Sequence, residues 1–279
     1  MQYITSENNS LIKEIKSLKI KKYRDQKKLY FIEGFKFVEE ALSSDEKVNS
    51  IIISDIMGKN EKVLELIQKA KQKEFNMNIQ LVSDNILRQL SDTEAPQGII
   101  ALVKMKDYNL EDITKIESKN NLFIILDAIQ DPGNMGTIIR TADAAGFNAV
   151  FAAKGCVDFY NPKVLRATMG SIFHIPVIYC DEVSNTINHL KSKGIKIYAS
   201  HLSSSENYYN LSVSQNIAFI IGNEANGISN QTASFADVLV KIPMPGKAES
   251  LNASIAAGIL IYETVRQRNI LTSREYFPS

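Results

Sequence analysis

The chain has 279 residues, is 44% hydrophobic, and carries 32 lysines and arginines against 31 aspartates and glutamates, for a net charge of +1. That length predicts one large or two ordinary domains with a real core. No run approaches the ~20 consecutive apolar residues of a membrane span. The opening MQYITSENNSLIKEIK lacks the apolar segment of a secretory signal. Cys156 and Cys180 lie outside any C-x-x-C or Cys/His cluster, which suits a reducing cytoplasm and predicts no protein-bound metal.

In chain order, the first hundred residues alternate. A helix is predicted from about Asn9 to Leu18, then a strand, LYFIEG, a helix, FKFVEEAL, and a β-branched strand, VNSIIIS. EKVLELIQKAKQKEF places Val63, Leu64, Ile67 and Ala70 at helical spacing. MNIQLVS reads as a strand, DNILRQL as a short helix capped by Ser83 or Asp84, and QGIIALV as another strand. This is a small α/β domain, residues 1–105. Within it, residues 11–28 carry eight basic side chains, among them Lys13, Lys19, Lys21, Lys22, Arg24 and Lys27. Such a run is either a solvated helix face or a phosphate-contacting surface, and Tyr23 and Tyr30 beside it are either core or base-stacking residues.

The polar stretch KMKDYNLEDITKIESKN reads as a linker, placed at 106–119. Beyond it, strands are predicted at 122–127, 148–152, 175–179, 195–199, 217–221 and 237–242. Helices are predicted at 134–145, 162–169, 181–193 and 251–268. Asn161 before Pro162 has the form of an N-cap followed by a first-turn proline. SSSENYYN, 203–210, reads as a surface loop. This alternation implies a second α/β domain, 120–270, whose mostly parallel sheet is covered on both faces. Ligands in such sheets bind beyond the C-terminal strand ends. The loops 128–135, 222–229 and 243–250 lie there.

The first of these, LDAIQDPGNMGTIIRTADAAGF, has the strand, glycine turn and helix order of a nucleotide-binding loop. Its glycines are spaced G-x-x-G, with Asp131 and Ile138 where a dinucleotide fingerprint needs glycines. No lysine follows Gly136, so the P-loop pattern fails too. A Rossmann dehydrogenase is therefore disfavoured. Ile138, Ile139, Ala142 and Ala145 predict the buried stripe of the helix, with Asn134 at or near its N-cap and Arg140 on another face, leaning back toward the loop. Taken singly, Asn134 reads as a cap, Arg140 as a surface residue, Glu224 as a solvated carboxylate and Ser250 as a cap. Three such loops at strand ends are less easily dismissed.

Together these stretches resemble the three motifs of the SpoU (TrmH-type) branch of the SPOUT RNA 2′-O-ribose methyltransferases. The first is matched by Asp131-Pro132-Gly133-Asn134, Gly136, Ile139-Arg140-Thr141-Ala142 and Gly146. The second is matched by Ile221-Gly222-Asn223-Glu224 and Gly227, the third by Ile242-Pro243-Met244, Gly246 and Glu249-Ser250-Leu251-Asn252. Phe31-Ile32-Glu33-Gly34, Val38-Glu39-Glu40-Ala41-Leu42 and Pro96-Gln97-Gly98-Ile99 resemble signposts of the family's substrate-binding domain.

The resemblance implies S-adenosylmethionine as methyl donor, a ribose 2′-hydroxyl of RNA as acceptor, and a deep trefoil knot in the C-terminal α/β domain. It implies cofactor contacts at Gly222, Ile242, Leu251 and Asn252. Catalytic roles fall to Arg140, Asn134, Glu224, Ser250 and Asn252. It also implies a homodimer built on the last helix, in which one subunit's arginine can serve its partner's pocket. Ribosomal RNA is the preferred substrate, because of the separate N-terminal domain, with transfer RNA and a catalytically inactive RNA-binding relative as alternatives. In that setting the basic stretch 11–28 becomes an expected RNA contact.

Overall fold

The computed structural model describes residues 2–74, 77–115, 121–202, 204–213 and 216–276. Phe75 and Ser203, at the edges of a predicted helix and a predicted loop, and residues 116–119 of the expected linker lie outside these. The chain forms two compact units. The first is Met1–Asp107 together with Tyr160–Phe173, and the second is Tyr108–Phe159 together with His174–Ser279.

The first unit has a five-stranded sheet of β1 (Gln2–Ile4), β2 (Leu29–Glu33), β3 (Val48–Ser54), β4 (Asn78–Val82) and β5 (Ile99–Lys104), in the order β1-β4-β3-β5-β2. The edge strand β1 was not foreseen, since three residues are too few to show a period. Strand β5 runs antiparallel to both β2 and β3, pairing Glu33 with Ile100 and Ile53 with Ile99. The ends of β2 and β3 therefore meet the start of β5 at one edge. Asn9 caps the Ser10–Ser17 helix, which buries Ile12 and Ile15. Asn60 and Ser83 cap the Glu61–Lys73 and Asp84–Leu90 helices in the same way. The basic stretch holds a second, unforeseen helix, Lys21–Lys27, closed by Lys28 at φ 53°. Segment Tyr160–Phe173 joins this unit through ring contacts of Tyr160 with Tyr30 (4.5 Å between centroids) and Phe173 with Phe37 (5.1 Å).

In the second unit β6 (Leu122–Leu126), β7 (Ala149–Ala153), β8 (Val177–Cys180), β9 (Lys196–Ser200), β10 (Ile217–Ile221) and β11 (Val238–Val240) form a sheet of order β11-β9-β10-β6-β7-β8. Every pair is parallel. Strands β6, β7 and β10 are buried at every residue, as a sheet covered on both faces requires. The predicted strands fall close to these spans. The last is shorter than 237–242 because Lys241 makes only an isolated bridge to Asn207 and Pro243 has no amide to donate. The chain lays down β6, β7 and β8 in one direction, then places β10 on the other side of β6. The order reverses between β6 and β10, which is where an open parallel sheet leaves a ligand crevice. No helix among the described residues is long and apolar enough to cross a membrane.

Candidate active site

Strands β6 and β10 pair Leu126 with Ile221, and the Asp127 amide donates to the Ile221 carbonyl at 2.9 Å. The loops that follow them therefore leave the sheet side by side. Asp131, not Asn134, is the N-cap of the Pro132–Ala144 helix, its carboxylate accepting from the Asn134 amide at 2.7 Å. Proline at the next position suits the first turn, where its missing N–H costs nothing. With the cap supplied by Asp131, the Asn134 side chain is free to act elsewhere, and it is buried.

It joins the three loops. Asn134 Nδ2 donates to Glu224 Oε1 at 2.9 Å, and Asn252 Nδ2 donates to Asn134 Oδ1 at 2.9 Å. Asn252 Oδ1 in turn caps the last helix, Ala253–Tyr276, by accepting from the Ser254 amide (2.9 Å) and hydroxyl (2.7 Å). That cap is why the helix begins at Ala253 rather than Leu251. Glu224 also accepts the backbone amides of Asp131 (3.2 Å) and Gln130 (3.4 Å). Partial burial pushes its carboxyl upward, but the Asn134 amide and the backbone donors outweigh this and hold it below the ordinary value of 4.5.

Asn223, matched in the second motif but given no role there, ties the second loop to the first. Its Nδ2 donates to the Ala128 carbonyl at 2.8 Å, where Ala128 has φ 57°. Its Oδ1 accepts from the amides of Ala225 and Asn226, the side-chain-to-backbone turn typical of asparagine. Asn223 and Gly227 exchange both backbone hydrogen bonds. A Cβ on Gly222 would overlap the backbone of Gly227 and Ile228. Glycine is thus required at 222 because the chain folds back on itself there.

Beside this network lies a pocket of about 250 Å³. Gly222, Ile242 and Leu251 line it as expected, with Ser250 and Glu224. So do Met244, matched in the third motif, Ala256 of the last helix, and His201, which sequence reasoning missed because β9 carries no motif. Apolar side chains beside loop backbone fit a purine and its ribose, as S-adenosylmethionine requires.

Two expected members stand apart. Ser250 lines the pocket without joining the Asn134–Glu224–Asn252 chain. Arg140 is exposed and has no hydrogen bond or ion pair among the described residues. It stands six residues, under two helical turns, beyond Asn134 on the same helix.

The basic stretch divides. Arg24 is only 2% exposed and donates to the Leu18 carbonyl at 2.7 Å, which corrects its expected place at an RNA surface. It turns inward to satisfy the end of the preceding helix. Lys19 pairs with Asp92 and Lys27 with Glu14, both at 2.7 Å, while Lys13, Lys21 and Lys22 are exposed.

A parallel sheet, a crevice at its order reversal and three loops joined through two asparagines and a glutamate define a ligand-binding enzyme site. Residues 121–262 match the SpoU rRNA methylase family, and residues 9–101 match the MRM3-like substrate-binding domain. Similar proteins include the 23S rRNA (guanosine(2553)-2′-O)-methyltransferase RlmP of Bacillus subtilis (strain 168), 36% identical over 94% of this chain and 98% of its own. Among solved structures, the AdoMet-bound rRNA methyltransferase of Sinorhizobium meliloti is 30% identical, with a TM-score of 0.86 over 95% of this chain and 98% of that one. The SpoU methyltransferase AviRb of Streptomyces viridochromogenes, in complex with AdoMet, is 26% identical, with a TM-score of 0.84 over 94% and 98%. The chain belongs to the SpoU rRNA methylase family, and its activity is S-adenosylmethionine-dependent methylation of RNA.

Proposed function

We propose that the chain methylates a ribose 2′-hydroxyl of ribosomal RNA. The observation that carries this reading is the hydrogen-bonded chain Glu224–Asn134–Asn252, one residue from each of three loops, beside an apolar pocket. Bound in this pocket, S-adenosylmethionine would supply an activated methyl group, carried on a sulfonium, for the sugar oxygen. Gly222, Ile242, Leu251 and the backbone around Asn252 hold the adenosine part. Glu224 fixes the first loop through the Gln130 and Asp131 amides and orients Asn134, which positions the acceptor. Ser250 serves the methionine end.

Arg140 acts through its planar guanidinium, binding the phosphate beside the acceptor ribose, and an oxygen of that phosphate takes up the proton that the hydroxyl loses. Its exposed, unpaired state suits service in a partner's pocket. Ile255 and Tyr262, 54% and 51% exposed on the last helix, suit a homodimer built there. The deep trefoil knot belongs to the same reading. So does a cytoplasmic home, which two free cysteines with thiols pushed up by burial to about 11 suit.

The test is to incubate the protein with labelled S-adenosylmethionine and ribosomal RNA from a strain lacking its gene. Label should appear in a 2′-O-methylnucleoside. Arg140→Ala should keep cofactor binding and melting temperature yet lose at least tenfold in turnover, roughly 1.4 kcal/mol of barrier. Label in no nucleoside would overturn the reading.

A further inference from the structure

The first unit contains a cleft of about 730 Å³, within the ~300–1,000 Å³ range of ligand sites. It forms where β2 and β3 end and β5 begins. Two of the sequence signposts build it. Gly34, at φ 107°, turns β2 into the Phe35–Ser43 helix, and the Phe35 amide donates to Gln97 Oε1 at 3.0 Å. Gly98, at φ 75°, packs where a Cβ would overlap Met57. Arg166 and Met169, from the segment that joins this unit, complete the lining.

The lining has two kinds of surface. Phe35, Phe37, Met57 and Met169 present flat or pliable apolar faces, and Met169 is 67% exposed. Lys36, Lys62 and Arg166 bring three cations, none of whose side chains has a hydrogen bond or ion pair among the described residues. Of the two carboxylates, Glu33 is spent on its own loop, accepting from Ser91 Oγ (2.6 Å), Thr93 Oγ1 (2.9 Å) and the Asp92 amide (3.3 Å). Glu40 lies against Gly170. Apolar faces interleaved with unpaired cations are what an unstacked base and its flanking phosphates need.

We propose that this cleft binds an unpaired nucleotide of the RNA substrate, with its base against Phe35, Phe37 and Met169 and its phosphates on Lys36, Lys62 and Arg166. The proposal rests on the RNA-methylating function above. It gives the Glu33-Gly34 and Gln97-Gly98 signposts a purpose and assigns substrate binding to this cleft rather than to Arg24, Lys19 and Lys27.

The test uses the full chain and unmodified ribosomal RNA from a strain lacking the gene. Lys62→Glu/Arg166→Glu should raise the Kd for that RNA on the order of tenfold and flatten its salt dependence, since removing one phosphate-neutralising cation reduces the slope by about one. Binding of S-adenosylmethionine and the melting temperature should stay as in the parent. Met169→Glu, at an exposed position, should weaken binding without altering the fold. With RNA carrying 4-thiouridine, ultraviolet cross-links should map to peptides containing Phe35, Phe37 or Met169. Unchanged affinity of these variants while the parent still methylates RNA would overturn the cleft and leave the function standing. RNA binding that depends on the cleft, without methyl transfer, would uphold the cleft and overturn the function. Cross-links confined to other peptides would overturn the cleft.

Discussion

Glu224 is held between burial, which disfavours its charge, and four hydrogen-bond donors, which favour it. Because its folded-state pKa lies below the ordinary value, its contribution to stability is present above pH ~4.5 and fades as pH falls through the lower folded value. Melting temperatures of the parent and of Glu224→Gln should therefore differ at pH 7 and converge once the pH has fallen below the lowered folded-state value. A difference that persists undiminished into acid would mean that charge is not what Glu224 supplies. Gly222 makes a second prediction at this scale. Gly222→Ala puts a methyl into the Gly227–Ile228 backbone. The turn must open, so the variant should lose cofactor affinity by more than tenfold, about 1.4 kcal/mol, measured by calorimetry. Its first-unit folding should be unchanged.

At the scale of elements, single side chains join one piece of secondary structure to the next. Asn252 caps the last helix with its oxygen and holds Asn134 with its nitrogen. Asn252→Ala should cost about 0.5–2 kcal/mol for the cap, read in urea unfolding, and should lower turnover further by releasing Asn134. Asn252→Asp keeps the cap oxygen but loses the donor, so it should recover the stability and not the turnover. Equal recovery of both would show that Asn134 needs no such support. Arg24 shows the same economy in the first unit, where a residue from a basic run finishes a helix instead of facing solvent.

For the whole molecule, the two units are not two consecutive segments. Tyr160–Phe173 leaves the second to pack with the first. A fragment of residues 121–276 should thus expose Tyr160, Ile172 and Phe173, which are buried in the full chain. It should bind a hydrophobic dye and melt at a lower temperature than the second unit of the full chain. A fragment that melts at the same temperature without binding dye would show that this segment needs no partner.

What the sequence determined by itself is local or periodic. Fully apolar β6 and β10 announced a covered parallel sheet, Asn161-Pro162 a helix start, and three motifs the loops that matter. Asn134, Glu224 and Asn252 were legible as chemistry-bearing residues because glycines and strand ends surround them. Their union was not legible, since the bonds span 90 and 118 residues and depend on how β6 and β10 pair. His201, and the role of Asn223, were invisible for a related reason: each acquires its role from a neighbour brought in by the sheet. The eight cations of residues 11–28 looked equivalent in one dimension. Only packing turned Arg24 inward and paired Lys19 and Lys27, because burial and ion pairing depend on what lies across the fold, not on what lies beside a residue in the chain.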